Sequence, residues 1–273
     1  MRTRTTCLTL LTAVALLIGA TAAQAQEREQ ARLLTATQVL AELRDSRDQA
    51  IPDRLLERAY GIAVIPDMTK IAWFFGGRRG HGVLIVRDKS GRFTDPVFIT
   101  MTGGSFGFQW GLQLTDVVLV FTTPKGIEGI NGGKVTLGGD ASVAAGPVGR
   151  NASAGTDASF KAEVYSYSRS RGAFVGLALD GSVISIDDRA DGDYYRKPGV
   201  ASADILSGAV RSNDDIARRF VAAVSTSTEG QRQASAAPAT PPTAPSPAAA
   251  TTTPAGAQSF PLADPKPGSE PGK

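Results

Sequence analysis

Short apolar runs separated by turn residues follow one another between Gly61 and Ile186, at a spacing of roughly ten residues that is typical of all-β folds. Asp180-Gly181 joins two of these runs and predicts a tight hairpin. Further turns are predicted at the Gly-rich segment Gly76 to Gly80 and at Asp88 to Gly91, and Pro66 is predicted to end a strand. The pattern predicts a mainly antiparallel β fold, built as a sheet, a sandwich or a barrel. The predicted strands are Ile62–Ile65, Ile71–Phe75, Val83–Val86, Val97–Thr102, Phe106–Leu114, Val117–Thr122, Ala173–Leu179 and Ser182–Ile186.

A Gly-rich segment, Lys134 to Arg171, interrupts this series and leads into a strand-like run from Ala162 to Ser168. Glycine is the residue that a chain uses for left-handed turns, bulges and close backbone approach. We therefore expect tight turns or close contacts at Gly138, Gly139, Gly146 and Gly149.

Helical patterns lie on both sides of the predicted strands, so the fold class is α+β. A first helix is predicted to begin near Thr37 and a second to run from Pro52 to Gly61. Towards the C-terminus, Ser202 to Ser207 and a segment that follows the capping signature Ser212 to Asp215 are predicted to be helical. The helical faces are formed by Ala36, Val39, Leu40 and Leu43, by Leu55, Leu56, Ala59 and Tyr60, and by Ile216, Phe220 and Val224.

The helix near Thr37 has two interpretations, a membrane-binding amphipathic helix or a helix that packs on the sheet. The sequence from Gln26 to Tyr60 contains six Arg and seven Asp or Glu. Helices that bind membrane surfaces usually carry a basic polar face. The charge balance favours packing.

The ends of the chain are predicted to lie outside the folded domain. Arg2, Arg4, a short apolar run and the Ala23-Gln24-Ala25 site are typical of a secretory signal peptide over residues 1–25, rather than of a membrane span. Residues 26–36 are interpreted as a polar lead, 37–225 as the domain, and 226–273 as a disordered Ala-, Pro- and Thr-rich tail. These features predict an exported protein, periplasmic or secreted, with a possible spacer at its C-terminus.

Five blocks of the sequence resemble the SYLF domain family. They are DASVAAGPVGR with YSYSRSRGAFVG, AYGIAVIPDMTK, GGRRGHGVLIVRD, FITMTGGSFGFQWG and the Asp193-Tyr194-Tyr195 triplet. The resemblance covers roughly Pro52 to Leu206 and implies a lipid-binding module, which in some eukaryotic members also binds actin. Because the signal peptide predicts an exported bacterial protein, actin is not expected as a partner.

No catalytic, cofactor or metal site is predicted. Gly103 to Gly107 matches G-x-S-x-G around Ser105, but the chain's one histidine, His81, precedes the serine, whereas the base follows it in α/β-hydrolases. The segment Gly129 to Lys134 lacks the spacing of a phosphate-binding loop. An acidic group at Asp187, Asp188, Asp191 and Asp193 has Arg189 where a calcium loop needs an oxygen ligand, so a solvated turn is expected there. The single cysteine, Cys7, lies within the predicted signal peptide.

The strongest candidate for a functional surface is the segment from Lys70 to Arg92, where six basic residues stand against one acidic residue, Asp88. Three consecutive aromatic residues precede the Arg pair, and alternation along a strand predicts that at least one ring points outward. Aromatic rings and cations both favour an anionic membrane interface. The candidate lipid-binding residues are Lys70, Trp73, Phe74, Phe75, Arg78, Arg79, Arg87, Lys89 and Arg92.

The sequence therefore favours a non-catalytic, exported lipid-binding protein of the bacterial envelope, with anionic phospholipid as its partner. The alternative is a structural or protein-interaction module of the envelope with the tail as a tether, for which no protein partner is identified. A serine hydrolase based on Ser105 is a distant third. The mature chain has 27 basic and 26 acidic residues once Arg2 and Arg4 are removed, which argues against nucleic-acid binding.

Overall fold

The computed structural model describes residues 24–43, 51–72, 75–106, 111–146, 161–170, 173–176 and 179–236. The helices in these residues are α1 over 24–43, α2 Asp53–Glu57, α3 Lys125–Asn131, α4 Asp188–Tyr194, α5 Ser202–Leu206 and α6 Asp215–Ala236. The strands are β1 Gly61–Ala72, β2 Phe75–Val86, β3 Val97–Phe106, β4 Gly111–Phe121, β5 Lys134–Thr136, β6 Val143–Ala145, β7 Val164–Ser170, β8 Ala173–Gly176 and β9 Val183–Ile186.

The strands form one sheet in the order β5-β9-β3-β2-β1-β4-β7-β6, with β8 also paired to β7. Every strand pair in the described residues is antiparallel except β6 with β7, which is parallel. The predicted α+β class and the mainly antiparallel pairing are confirmed. Of the three predicted arrangements, the described strands form a single sheet.

Apolar side chains cover both faces of the sheet, because strand residues alternate between the faces. On β2, Val83 and Ile85 pack against α1, α2 and α6, whereas Leu84 and Val86 pack on the opposite face with residues of α3 and α5. Helices on both faces explain why the strands read as nearly continuous apolar runs rather than as polar and apolar alternation.

A bulge in β1 corrects the predicted strand boundaries. Pro66 was expected to end a strand, but β1 continues through Pro66 and Asp67, and the pairing with β2 shifts between Val64 and Thr69. Asp67 has a φ of +48°, and its amide donates to the buried carboxylate of Asp116 at 3.0 Å. The extra residue places both Ile65 and Met68 on the same face of the sheet.

One predicted turn and one predicted strand are also wrong in position. Gly76 to Gly80, predicted as a turn, lies inside β2, because every one of these residues pairs with β3. The predicted strand Phe106–Leu114 is divided, since β3 ends at Phe106 and β4 begins at Gly111. The glycines of the Gly76 to Gly80 segment therefore do not mark a turn. In addition, helix α3 was not predicted from the sequence.

Helix α1 begins earlier than predicted and buries its apolar face. Residues 24–36, which include the predicted polar lead, are helical, and Leu33 is fully buried together with Ala36, Val39, Leu40 and Leu43. The structure thus has α1 packed on the domain. At the other end, α6 continues to Ala236, past the boundary predicted at 225, and residues 237–273 lie outside the described residues.

Two of the predicted glycine positions in the segment before β7 fit their expected roles. Gly138 has a φ of +84°, and a Cβ on Gly146 would lie 2.0 Å from the ring of the buried Tyr167. Gly146 therefore lets the β6 strand end against the Tyr167 ring, and Gly149 lies outside the described residues. None of the described helices combines the length and the apolar composition needed to cross a bilayer.

Candidate functional site

The four central strands, β1 to β4, all reach one end of the sheet, which we call the hairpin end. Ala72 of β1 lies opposite Gly76 of β2 and Gly111 of β4, and Phe75 of β2 lies opposite Phe106 of β3. The connections from β1 to β2 and from β3 to β4 therefore leave the sheet at the same end. Three of the predicted site residues, Lys70, Arg78 and Arg79, lie within a few residues of this end.

Lys70 and Arg78 are directly opposed on β1 and β2. Like charges directly opposite one another destabilise an antiparallel pair. The Arg78 guanidinium donates to the Gly104 carbonyl from Nη2 at 2.9 Å and from Nε at 3.3 Å, which fixes its position without neutralising its charge. Burial lowers the pKa of Arg78, but an arginine remains a cation at neutral pH.

Arg79 lies on the opposite face of the sheet from Lys70 and Arg78. It is exposed, and it stands in a cross-strand row with Leu114 of β4, Thr69 of β1 and Thr102 of β3. Leu114 has 56% of its surface exposed, which makes it one of two large apolar side chains that are exposed in the described residues. The hairpin end thus carries cations on both faces and an exposed leucine on one.

Acidic residues are missing from the sequence around these cations. Neither Met68 to Arg87 nor Pro96 to Thr115 contains an Asp or a Glu. Across the described residues, no ion pair joins Lys70, Arg78 or Arg79 to a carboxylate. The positive charge of the hairpin end is therefore not balanced locally.

The other predicted cations, Arg87, Lys89 and Arg92, lie at the opposite end of β2. Eight residues separate Arg79 from Arg87, which at the rise of a strand is about 26 Å. Lys89 and Arg92 are exposed in the turn between β2 and β3. The single patch expected from the sequence is thus two clusters, one at each end of the strand.

The side chain of Arg87 is buried in the fold and bound by its neighbours there. It is 8% exposed, and it donates from Nε to the Ala59 carbonyl at 2.8 Å and from Nη1 to the Gly91 carbonyl at 2.7 Å. Its guanidinium carbon lies 4.2 Å from the centroid of the Phe93 ring. Together with α3 and α5, the turn borders an open groove of about 610 Å³, in which Asp88 and Glu128 stand beside Lys89 and Arg92.

The three aromatic residues of the predicted patch cannot be placed in the same way. Trp73 and Phe74 lie outside the described residues, and Phe75 is described only as the first residue of β2. The prediction that one ring points outward stays a prediction.

The structure places Ser105 and His81 too far apart for a hydrolase. Ser105 lies inside β3 opposite Gly76, whereas a nucleophile elbow needs a sharp turn from a strand into a helix. His81 pairs with Thr100, five residues along β3, or about 16 Å at the rise of a strand. Thr100 Oγ1 at 3.2 Å and Asp187 Oδ2 at 3.3 Å both contact His81 Nδ1, so this group also lacks the two-sided contacts of a catalytic triad.

The acidic group that was predicted as a solvated turn is helix α4, capped by Asp187, whose carboxylate accepts from the Ala190 amide at 3.2 Å. Asp191 is fully buried and accepts from the Phe98 amide at 2.8 Å. Burial raises the pKa of Asp191 to about 8. Within the described residues, no group of His, Cys, Asp or Glu could hold a metal ion.

Comparison with known proteins identifies the family that the domain resembles. The family described as "Ysc84: Las17-binding protein actin regulator" matches residues 102–227. The chain carries a SYLF-family domain. The yeast protein named LAS seventeen-binding protein 3 (Saccharomyces cerevisiae) is 40% identical over 167 residues, which is 60% of this chain and 36% of the relative. The SH3 domain-containing YSC84-like protein 1 of Xenopus laevis is 29% identical over 188 residues, 68% of this chain and 56% of the relative.

The chain thus spans from about a third to just over half of the length of these two relatives. The name of the yeast relative and the family description are those of binding and regulatory proteins rather than of enzymes.

Sequence reasoning missed two residues of the hairpin end, Thr102 and Leu114. Thr102 belongs to β3 and Leu114 to β4, and no pattern in the sequence predicts that these strands lie beside β2 and β1. The absence of acidic residues from Pro96 to Thr115 is a signal that could have found them.

Proposed function

We propose that this chain is a non-catalytic, exported protein of the bacterial envelope whose SYLF domain docks on anionic lipid through the hairpin end. The observation that supports the proposal is the group of Lys70, Arg78 and Arg79, which lie in two neighbouring residue pairs of β1 and β2 without an acidic residue. Export is supported by the signal-peptide pattern of the sequence alone, because residues 1–23 lie outside the described residues.

Three unbalanced cations are enough for useful affinity. A basic residue near an anionic membrane surface contributes about 1 kcal/mol, so three contribute about 3 kcal/mol, or roughly a 100-fold gain in partitioning. The direct opposition of Lys70 and Arg78 costs stability, and an anionic surface would relieve that repulsion. By sequence, the connections that leave this end contain the two tryptophans of the chain, Trp73 and Trp110, and tryptophan favours the membrane interface.

The test is vesicle co-sedimentation of the protein as the cell processes it, with its N-terminus verified by mass spectrometry. Vesicles of neutral lipid and vesicles with added anionic lipid are compared at low and at physiological salt. We expect binding to the anionic vesicles only, weakened by salt, because the attraction is screened within about 10 Å at 0.1 M ionic strength.

A charge-reversal pair locates the surface. Lys70→Glu/Arg79→Glu should weaken binding at least roughly 30-fold, since two attractive contributions of about 1 kcal/mol each are lost. The matched control is Lys89→Glu/Arg92→Glu, which changes the net charge equally at the opposite end of β2. Equal loss in both variants would show only a net-charge effect, and unchanged binding in the first would overturn the site.

A second candidate function is a protein-interaction module of the envelope. Its support is the name of the yeast relative and the family description, both of which describe Las17 binding, and the open groove beside Lys89 and Arg92. This function predicts lipid-independent capture of a single envelope protein that is lost in Lys89→Glu/Arg92→Glu and kept in Lys70→Glu/Arg79→Glu. The two double variants therefore separate the two functions in opposite directions.

A further inference from the structure

The cations of the hairpin end do not share one face of the sheet. Lys70 and Arg78 are on the face covered elsewhere by α3 and α5, and Arg79 is on the face covered elsewhere by α1. A membrane lying flat against either face would reach only part of this charge. A membrane that crosses the strand ends would reach cations on both faces at once.

The described part of helix α1 ends at Leu43. Near that point lies an ion-pair network in which Arg169 of β7 bridges Glu42 of α1 and Asp116 of β4, with Nη2 2.7 Å from Asp116 Oδ2. The next row towards the hairpin end on the same face holds Leu114, Thr69, Arg79 and Thr102. Arg79, Thr102 and Leu114 of that row are exposed, so the strands project beyond the helices that the structure describes.

The projecting part belongs to four strands rather than to the β1–β2 hairpin alone. Lys70, Arg78 and Arg79 come from β1 and β2, whereas Thr102 and Leu114 come from β3 and β4 on either side of that pair. Leu114, an exposed apolar side chain, lies in the same cross-strand row as Arg79. This combination of an apolar side chain and flanking cations is what the boundary between headgroups and acyl chains accepts.

We infer that the domain meets an anionic bilayer edge-on, with the ends of β1 to β4 foremost and the strands steep to the membrane plane. Lys70 and Arg78 contact headgroups on one side of the sheet, Arg79 contacts them on the other, and Leu114 enters the interface. Helix α1 stays packed on the sheet and clear of the lipid. The inference rests on the proposed lipid docking and adds its orientation and the part played by β3 and β4.

Single-cysteine labelling tests the orientation. In the protein as the cell processes it, with Cys7 replaced by serine so that any unprocessed chain carries no second thiol, a polarity-sensitive fluorophore is attached in turn to cysteine at one of five exposed positions. Thr102→Cys and Leu114→Cys report on β3 and β4 at the hairpin end, Ser90→Cys on the opposite end, Gln38→Cys on the outer side of α1, and Glu128→Cys on α3. Each labelled protein is mixed with anionic vesicles at a lipid concentration where co-sedimentation shows it bound.

We expect a blue shift of the emission at positions 102 and 114 and no shift at 90, 38 and 128. A shift at 90 with none at 102 and 114 would mean that the opposite end docks, and a shift at 38 or 128 would mean flat docking on a helical face. Either result overturns the edge-on orientation while lipid docking stands. Absence of vesicle binding by the unlabelled protein overturns lipid docking and the orientation together.

Discussion

The helix-covered part of the sheet and the hairpin end contain charged groups of similar kinds in different surroundings. In the covered part, Arg87 has two carbonyl partners and an aromatic ring, and Asp116 is held by Arg169 and by the amide of Asp67. At the hairpin end, Lys70 and Arg78 face each other with no described carboxylate to balance them. A buried charge needs such partners to be tolerated, whereas an exposed cation without them, such as Arg79, is available to a ligand.

The difference shows why a count of charges along the sequence is a weak guide to function. Arg79 and Arg87 are residues of one strand segment and contribute equally to the local charge. Only Arg79 is exposed, because Arg87 is turned into the junction of β1, β2 and the following turn. The comparison predicts that substitutions in the covered part affect stability and that substitutions at the hairpin end affect binding.

The largest effect is expected for Arg87→Ala. The substitution leaves the carbonyls of Ala59 and Gly91 without their donor and removes the contact with Phe93, so we expect a loss of about 3 kcal/mol in the free energy of unfolding. Urea denaturation followed by circular dichroism measures it. The matched variant, Arg79→Ala, should change the free energy of unfolding by less than about 0.5 kcal/mol, as is usual for surface positions. Equal losses in the two variants would remove the distinction between the regions.

The next effect concerns the buried carboxyl of Asp191. Burial raises the pKa of Asp191 from 3.8 to about 8 in the folded state, so the folded protein binds a proton that the unfolded chain releases between these pH values. Stability from this group is therefore fully present below pH 4 and is lost as the pH rises towards 8. Asp191→Asn keeps an oxygen for the Phe98 amide and removes the titration. We expect the variant to gain at least about 2 kcal/mol over the wild type between pH 5 and pH 8.

Denaturant unfolding at several pH values provides the measurement for Asp191→Asn. Asp193→Asn, on the same helix but without such burial, serves as the control and should follow the wild-type pH profile. If both variants follow that profile, the carboxyl of Asp191 is ionised in the folded state and the contrast between covered and uncovered charges is weaker than the structure indicates.

Strand content, the mainly antiparallel pairing and the C-terminal helices could be predicted from sequence, because apolar periodicity and capping residues are local signals. The bulge at Pro66 and Asp67 could not, since it depends on Asp116, distant in the chain, to bind the Asp67 amide. The Gly76 to Gly80 segment was predicted as a turn because its glycines suggest one, but pairing with β3 overrides that local preference.

The candidate site was predictable in part for the same reason. Lys70, Arg78 and Arg79 come from one hairpin, so their proximity follows from the local sequence. The neighbours Thr102 and Leu114 depend on the strand order β3-β2-β1-β4, which no local pattern encodes. The structural role of Arg87 depends on Ala59, which approaches it only when β1 and β2 pair.

The smallest effect is the most informative about the hairpin end, and it concerns Lys70→Glu alone. The substitution turns the like-charge pair with Arg78 into an opposite-charge pair directly across two strands, which should raise the free energy of unfolding by about 0.5 kcal/mol. The same substitution should weaken binding to anionic vesicles, because one attractive cation becomes a repulsive anion. Stability and binding would then move in opposite directions, as expected where a sequence keeps a destabilising charge for its ligand.

Thr69→Glu, the neighbouring position opposite Arg79, is the control for adding a carboxylate on the other face, where it should also weaken binding. A Lys70→Glu variant that loses stability would show that the Lys70 side chain supports the fold, and the case for a cation retained for lipid would then rest on Arg79 alone.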